Sequence, residues 1–344
     1  MSLGVLRPGL LDLVQDRGRF GFQDRGVGPA GPADPLSHAL ANLLVANPPD
    51  AAVLEITLRG PALRFETDVV AAFTGAPFPL AVAGKRVHPF RPLFLRAGAT
   101  LEIGETDQGL RGYLAVAGGV EVPPVLGSRA TDLRGTFGGQ EGRALREGDR
   151  LPLGAPREEI ARLLGSAMGK SEPFLACGWR LPWSGPLPGQ DQDPTLALIP
   201  GPQWPDLAPP SRRALLEEGF RVGPASDRMG LRLQGPRLDL TGRTELLSAP
   251  VVTGTLQLPP DGQPILLMAD RQTTGGYPRL GEVATVDLPR AAQARPGSPL
   301  RFTLVEAGEA RRRLKEQGRG LAFLRGLLLR EFANGGMMGP CGWT

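Results

Sequence analysis

Several residue types on which enzyme chemistry often depends are scarce in this sequence. Cysteine occurs only at 177 and 341. Two thiols so far apart supply neither a disulfide framework nor the paired ligands of a structural zinc, so both are expected to be reduced. Histidine occurs only at 38 and 88, and no G-x-S-x-G or H-E-x-x-H motif accompanies either. A Ser-His-Asp hydrolase is therefore not expected, and no metal ligand set is. Lysine is confined to 85, 170 and 315, which leaves arginine, with its planar fork for carboxylates, as nearly the whole positive charge. The formal net charge is only +4 over 344 residues, and basic side chains alternate with acidic ones, so nucleic acid is not an expected partner. No apolar run reaches the eighteen residues of a membrane span. The first ten residues lack a basic region followed by an apolar core, so no export signal is expected and the cytoplasm is the default location.

Glycine (48) and proline (36) make up nearly a quarter of the chain, which disfavours long helices and favours many short strands joined by turns. The length suits two domains. Leu11–Gln15 alternates as a strand and runs into the charged loop Asp16–Arg19. Gly26-Val-Gly28-Pro-Ala-Gly31 matches G-x-G-x-x-G, but Pro29 and Pro32 remove N–H groups that a pyrophosphate would need. A turn-rich connection is expected there, with a helix from Pro35 to Ala46 capped by Asp34. His38 lies beside that helix's leucine stripe and reads as a packed or surface residue. From Ala51 to Ala117 strands and turns alternate at short intervals, as in a sandwich or barrel. Gly165–Ser171 falls one residue short of a phosphate-binding loop and follows a helical pattern where a strand is needed. Pro182–Pro194 reads as a linker.

The second half repeats the first. Gly60-Pro-Ala-Leu63 recurs as Gly235-Pro-Arg-Leu238, Thr74-Gly75 as Thr253-Gly254, Gly84 as Gly262, and Gly98 as Gly297. The last interval is about twenty residues longer in the second copy. Inside it stands Asp270-Arg-Gln-Thr-Thr-Gly-Gly-Tyr-Pro278, directly after the apolar run Pro264–Ala269, which reads as a buried strand. A carboxylate, a guanidinium, an amide, two hydroxyls and a phenol follow almost consecutively, and positive φ at the paired glycines is expected to fold them toward one point. The chain closes with two helical stretches, Glu306–Gln317 and Leu321–Asn334, expected to be broken apart at Gly318 and Gly320. The tail from Gly335 is expected to be mobile.

Polar loops flanked by glycine remain as the available chemistry, and arginines paired with acids suit an anionic ligand. Gln15–Arg19, Gly26–Asp34, Ala41–Leu43, Gly127–Thr131, Ser226–Gly230, Pro259–Pro264 and above all Asp270–Pro278 resemble the KipA / allophanate hydrolase subunit 2 family over roughly residues 3 to 305. That family includes biotin-dependent carboxyltransferase-like proteins and the C subunit of bacterial ATP-dependent 5-oxoprolinase. Gly-Pro-Ala-Asp34 departs from the Gly-Ala-Met-Asp type usual in relatives.

The resemblance implies an all-β fold of tandem cyclophilin-like β-barrels with a C-terminal helical segment, divided at residues 1–190, 191–305 and 306–344. It implies one component of an ATP-dependent 5-oxoprolinase that converts 5-oxoproline to glutamate, with a site shared with a KipI-like subunit and a LamB/YcsF-like protein as the further partner. Arg129 and Arg228 are then expected on carboxylate or phosphate groups. Ser128, Asp227, Gln257, Gln263 and Gln272 are expected to line the substrate. Asp270, Thr273, Thr274 and Tyr277 are expected to orient or protonate the ring amide. ATP is expected on a partner, and biotin not on this chain, because Ala167-Met-Gly-Lys170 lacks methionines on both sides of the lysine. Two alternatives stay open. One is a carboxyltransferase half acting on urea or a related amide with carboxybiotin from another domain. The other is a non-catalytic antagonist that binds a KipI-like kinase inhibitor.

Overall fold

The computed structural model describes residues 1–167, 172–178, 181, 193–242 and 246–333. Lys170, Cys341, the tail and most of the expected linker lie outside the described residues. The chain forms two units, the first comprising residues 1–18, 35–190 and 320–344, the second 19–34 and 191–319. Residues 19–34 therefore group with the second unit although the sequence reading puts them in the first domain. Their ties explain it. The Arg228 Nη2 donates to Gly31 O (2.7 Å), and Gln293 Nε2 donates to the buried carboxylate of Asp34 (2.8 Å).

Two six-stranded sheets make the first unit. One runs in the order Arg150–Pro152, Ser2–Arg7, Ala62–Phe65, Thr100–Ile103, Leu80–Val82, Lys85–Val87. The other runs Phe174–Ala176, Pro92–Leu95, Val69–Gly75, Arg111–Val116, Val53–Thr57, Leu11–Gln15. Alternate side chains of both sheets meet in one core, for example Leu3, Leu63, Phe65 and Ile103 from the first and Leu54, Ala71, Phe73 and Leu114 from the second. The opposite face of the second sheet is covered too. Val70, Ala72, Tyr113 and Ala115 pack with Leu40 and Leu44 of the helix Pro35–Leu44. Strand Val69–Gly75 is thus buried on both faces, which is why it reads as a continuous apolar run instead of an alternating one.

The second unit is a closed barrel of seven strands: Thr195–Pro200, Arg279–Val283, Thr255–Gln257, Ile265–Leu267, Gly230–Gln234, Phe220–Val222 and Pro299–Leu304. Parallel pairing of Thr195–Leu198 with Arg301–Leu304 closes it. Leu196, Leu198, Leu231, Leu256, Leu266, Leu280, Leu300 and Phe302 fill its interior. Each fully buried leucine or phenylalanine contributes roughly 1.5–3 kcal/mol. The expectation of a mainly β protein with a tandem barrel architecture and a C-terminal helical segment holds. The repeat is visible in the backbone as well: φ is 95° at Gly75 and 94° at Gly254, 74° at Gly84 and 75° at Gly262, 84° at Gly98 and 88° at Gly297.

The C-terminal segment is not two helices broken at Gly318 and Gly320. Ala307–Ala333 is one 27-residue helix that runs through Gly318 and Gly320. Each glycine costs about 1 kcal/mol relative to alanine, too little to break a helix supported on both sides. Before the glycines, Ala310 packs with Ala197 and Ala284, and Glu309–Arg313 and Arg312–Glu316 form i,i+4 pairs. After them, Leu321, Leu324, Leu328 and Phe332 join the outer cluster of the first unit.

The two phosphate-loop look-alikes have the wrong setting. Helix Glu158–Ala167, not a strand, precedes residues 168–171, which lie outside the described residues. Gly26–Gly31 follows a short turn, Gln23–Arg25, and no helix begins before Pro35. Among the described residues no helix is long and apolar enough to cross a membrane, and no three His, Cys, Asp or Glu side chains cluster to hold a metal.

Candidate functional site

The apolar run before the polar loop enters the barrel as strand Ile265–Leu267, paired antiparallel with Gly230–Arg232 on one side and Leu256–Gln257 on the other. On leaving this ladder, Met268 N–H donates to Met229 O and Asp270 N–H to Arg228 O, both at 2.9 Å. Asp270 is thereby carried alongside Arg228. Arg228 Nε donates to Asp270 Oδ2 at 2.8 Å and Nη2 to Oδ1 at 2.9 Å. The two side chains are 4% and 6% exposed. A charge-assisted bidentate pair of this kind is stronger than a neutral hydrogen bond and fixes geometry as well. It anchors the root of the loop.

The rest of the loop is held by backbone. Val251 N–H donates to Thr273 O (3.0 Å), Thr274–Gly275 pairs with Ala249–Pro250, and Leu258 N–H donates to Pro278 O (2.9 Å). Between these ties Gln272 and Tyr277 reach the wall of a cleft of about 530 Å³. Asp227, Gln257 and Gln263 line the same cleft, together with Arg232 and the apolar Pro259, Ile265 and Leu267.

The paired glycines do not work as expected. Neither Gly275 nor Gly276 has positive φ. What Gly275 provides is close approach: a β carbon there would stand 2.5 Å from Gln257 Nε2 and 3.5 Å from Gln272 Nε2. Two side-chain amides therefore face one point beside the loop. Gln257 is 1% exposed, and its Nε2 has no hydrogen-bond partner.

The remaining expected site residues are distributed as follows. Asp227 Oδ1 accepts from Met229 N–H (2.8 Å) and Gly230 N–H (3.2 Å), closing the turn before Arg228. Gln263 clamps Gly235 through both its amide atoms. Thr273 is half-buried and Thr274 exposed, and neither lines the cleft. Ser128 and Arg129 belong to the first unit. There the Ser128 hydroxyl donates to Asp16 Oδ1 (2.6 Å), Arg129 N–H donates to Asp16 Oδ2 (2.5 Å), and Arg129 Nε donates to Val122 O (3.0 Å). The structure thus brings Asp227, Gln257, Gln263, Gln272 and Tyr277 to one cleft, buries Arg228 with Asp270 at the loop's root, and places Ser128 and Arg129 around Asp16.

Arg271 is not among the site residues expected from the sequence. It is 6% exposed, its Nε and Nη1 have no hydrogen-bond partner, and burial pushes its pKa down from the ordinary arginine value. The signal available in the sequence is its place between two selected residues, and the assumption that arginines here pair with acids hides it. The first unit has its own polar interior. Tyr113 donates to Glu55 Oε2 (2.7 Å), and the ring of His38 meets Tyr113 edge-on. Burial pushes His38 down to about 4 against the opposing charges of Asp16 and Glu55, so its imidazole is neutral near pH 7.

Residues 25–304 match the family model described as the carboxyltransferase domain, subdomains A and B. The C subunit of 5-oxoprolinase from Escherichia coli (strain K12) is 37% identical over 92% of this chain and 96% of its own length. The solved urea carboxylase of Kluyveromyces lactis is 29% identical with a TM-score of 0.82, over 94% of this chain but only 29% of its own. A further solved relative, 39% identical with a TM-score of 0.74, is covered over 55% of its length by 88% of this chain. The chain belongs to the carboxyltransferase-domain family in which the C subunit of bacterial 5-oxoprolinase and the carboxyltransferase region of urea carboxylase are its relatives.

Proposed function

We propose that this chain is one component of an ATP-dependent 5-oxoprolinase that hydrolyses 5-oxoproline to glutamate, working with a KipI-like subunit and a LamB/YcsF-like subunit. Coverage carries the reading. The match to the E. coli protein extends over 96% of its length, whereas the matched region is 29% of the urea carboxylase chain. The cleft beside the Asp270–Pro278 loop is the substrate site in this proposal, completed by the KipI-like partner. The buried Arg228–Asp270 pair positions the loop, so that the Gln272 amide and the Tyr277 phenol meet the ring amide. Thr273 and Thr274 hold the turn between them. Ser128 and Arg129 fix the Asp16 loop of the first unit and serve the substrate only indirectly.

An unactivated lactam needs activation, and ATP supplies it. Because helix Glu158–Ala167 occupies the place where a phosphate-binding loop requires a strand, ATP is assigned to a partner subunit. Biotin is assigned to no residue of this chain. Co-expression with KipI-like and LamB/YcsF-like partners, followed by assay of glutamate release, tests the proposal: release is expected only when all three chains are present. Full release without this chain would sink it. The TM-score of 0.82 to a urea carboxylase favours a second reading, a carboxyltransferase half that receives carboxybiotin from another domain. Turnover of urea or a related amide that depends on an added biotinylated carrier domain would mark that reading instead.

A further inference from the structure

The net charge of this chain is concentrated in one element. Of 39 basic and 35 acidic side chains, helix Ala307–Ala333 carries seven and three, so the 32 of each sign elsewhere cancel and the whole +4 resides on the helix. Glu309 pairs with Arg312 and Arg313, and Glu316 with Arg312. Arg311, Lys315, Arg319 and Arg330 are exposed and, among the described residues, have no carboxylate partner. Arg311, Lys315, Arg319, Phe323 and Leu327 follow one another at every fourth position, so they form a single ridge about 24 Å long on the helix surface. Phe323 is 70% exposed and Leu327 41%, whereas Leu328 and Phe332 of the same helix are buried. Arg319 stands one turn before Phe323, and Arg330 one turn after Leu327. Cations therefore bracket the exposed apolar pair on both sides.

A ridge of this composition fits a surface that is anionic and apolar together. A protein interface of ordinary size engages about 20–30 residues on each side, and the ridge with Arg330 offers six on one convex helix. A lipid surface asks for less. Phenylalanine and leucine enter the boundary of the acyl chains, while the stems of arginine and lysine lie along it with their charged heads at the phosphates. Each cation held near an anionic leaflet strengthens partitioning about fivefold. We propose that the Arg311–Leu327 ridge, with Arg330, is a docking surface for an anionic phospholipid bilayer and holds the chain at its surface without crossing it. This peripheral contact is independent of the reaction that the barrel cleft serves.

The test is sedimentation of the full-length chain with vesicles of equal parts phosphatidylglycerol and phosphatidylcholine, and with vesicles of phosphatidylcholine alone. Partitioning is expected to be at least tenfold stronger onto the anionic vesicles and to weaken steeply as sodium chloride screens the charges. Arg319→Glu should lower binding to the anionic vesicles about tenfold or more. Phe323→Ser should lower it about tenfold at low salt, with every charge kept. Arg86→Glu changes the net charge as Arg319→Glu does, but at an exposed position on strand Lys85–Val87, and should lower binding less than twofold. All three side chains are exposed, so the circular dichroism of each variant should match the parent's. No sedimentation with either vesicle, equal sedimentation with both, or equal losses in Arg319→Glu and Arg86→Glu would overturn the proposal. So would ridge variants that bind vesicles like the parent but no longer assemble with KipI-like or LamB/YcsF-like subunits, since the ridge would then be a protein interface.

Discussion

Arg228 and Asp270 lie 42 residues apart in the sequence and pair with almost no access to solvent. Truncating either one leaves the other charge buried and uncompensated, at a cost of about 3–5 kcal/mol. Arg228→Met or Asp270→Leu alone should therefore destabilise the barrel unit by that much, read as a lower urea midpoint at unchanged m, whereas Arg228→Met/Asp270→Leu should recover most of the loss because no lone charge remains. A double variant as unstable as the sum of the singles would show that the pair is not the source of the effect. This pairing is out of reach of the sequence. Both residues stand out there as ligand contacts, but their meeting depends on the register that sets Gly230 opposite Leu267 and carries Asp270 past Arg228. Local sequence shows which residues are polar and loop-borne, not which partner across the barrel neutralises them. For the same reason Gln257, Gln263 and Gln272 can be picked as candidates, while the unpaired state of Arg271 cannot.

At the level of elements, what the sequence shows best is what depends on neighbours in the chain. The helix from Pro35, the strand before Asp270 and the glycine-marked repeat all rest on periodicity or backbone conformation, and the matched glycines share φ to within a few degrees. What fails is the break at Gly318 and Gly320, because helix propensity is a weak local preference and packing at both ends of the Ala307–Ala333 helix overrides it. Both glycines are exposed, have φ in the helical range and leave open space where a β carbon would go. Gly318→Ala and Gly320→Ala should each stabilise the protein by about 0.5–1 kcal/mol, read as a rise in urea midpoint with the 222 nm ellipticity unchanged or stronger. Destabilisation by either would mean that the helix is bent or hinged at that point. A contrasting site is Gly112, where a β carbon would stand 2.1 Å from Phe73 Cζ inside the first unit. Gly112→Ala should cost about 1–3 kcal/mol through overpacking, in the same urea assay.

At the scale of the whole molecule, two buried groups of the first unit respond to acid in opposite directions. Burial raises Asp12 from an ordinary 3.8 to about 6, against a hydrogen bond from Gly9 N–H and the charge of Arg7. The folded chain therefore keeps a proton that the unfolded chain has lost, and stability falls as pH rises from about 4 to 6. Burial lowers His38 from 6.5 to about 4. Here the unfolded chain binds the proton and the folded chain does not, so stability rises over nearly the same window. At about 1.4 kcal/mol per pKa unit each effect is on the order of 3 kcal/mol, and the two nearly cancel. Asp149, held low by Arg143, loses its stabilising charge only as pH falls toward and below 3.8, so it does not shape this range. The intact chain should consequently show a flat stability profile between about pH 4.5 and 6.5. Asp12→Asn removes the falling limb and should leave stability climbing with pH by a few kcal/mol. His38→Gln removes the rising limb and should leave it declining by a similar amount. Urea titrations at about pH 4.5, 5.5 and 6.5, read through amide protection of strands Val53–Thr57 and Arg111–Val116, report on the unit that holds both groups. Opposite slopes in the two variants around a flat parent are the expected result, and parallel profiles in all three would rule out the compensation.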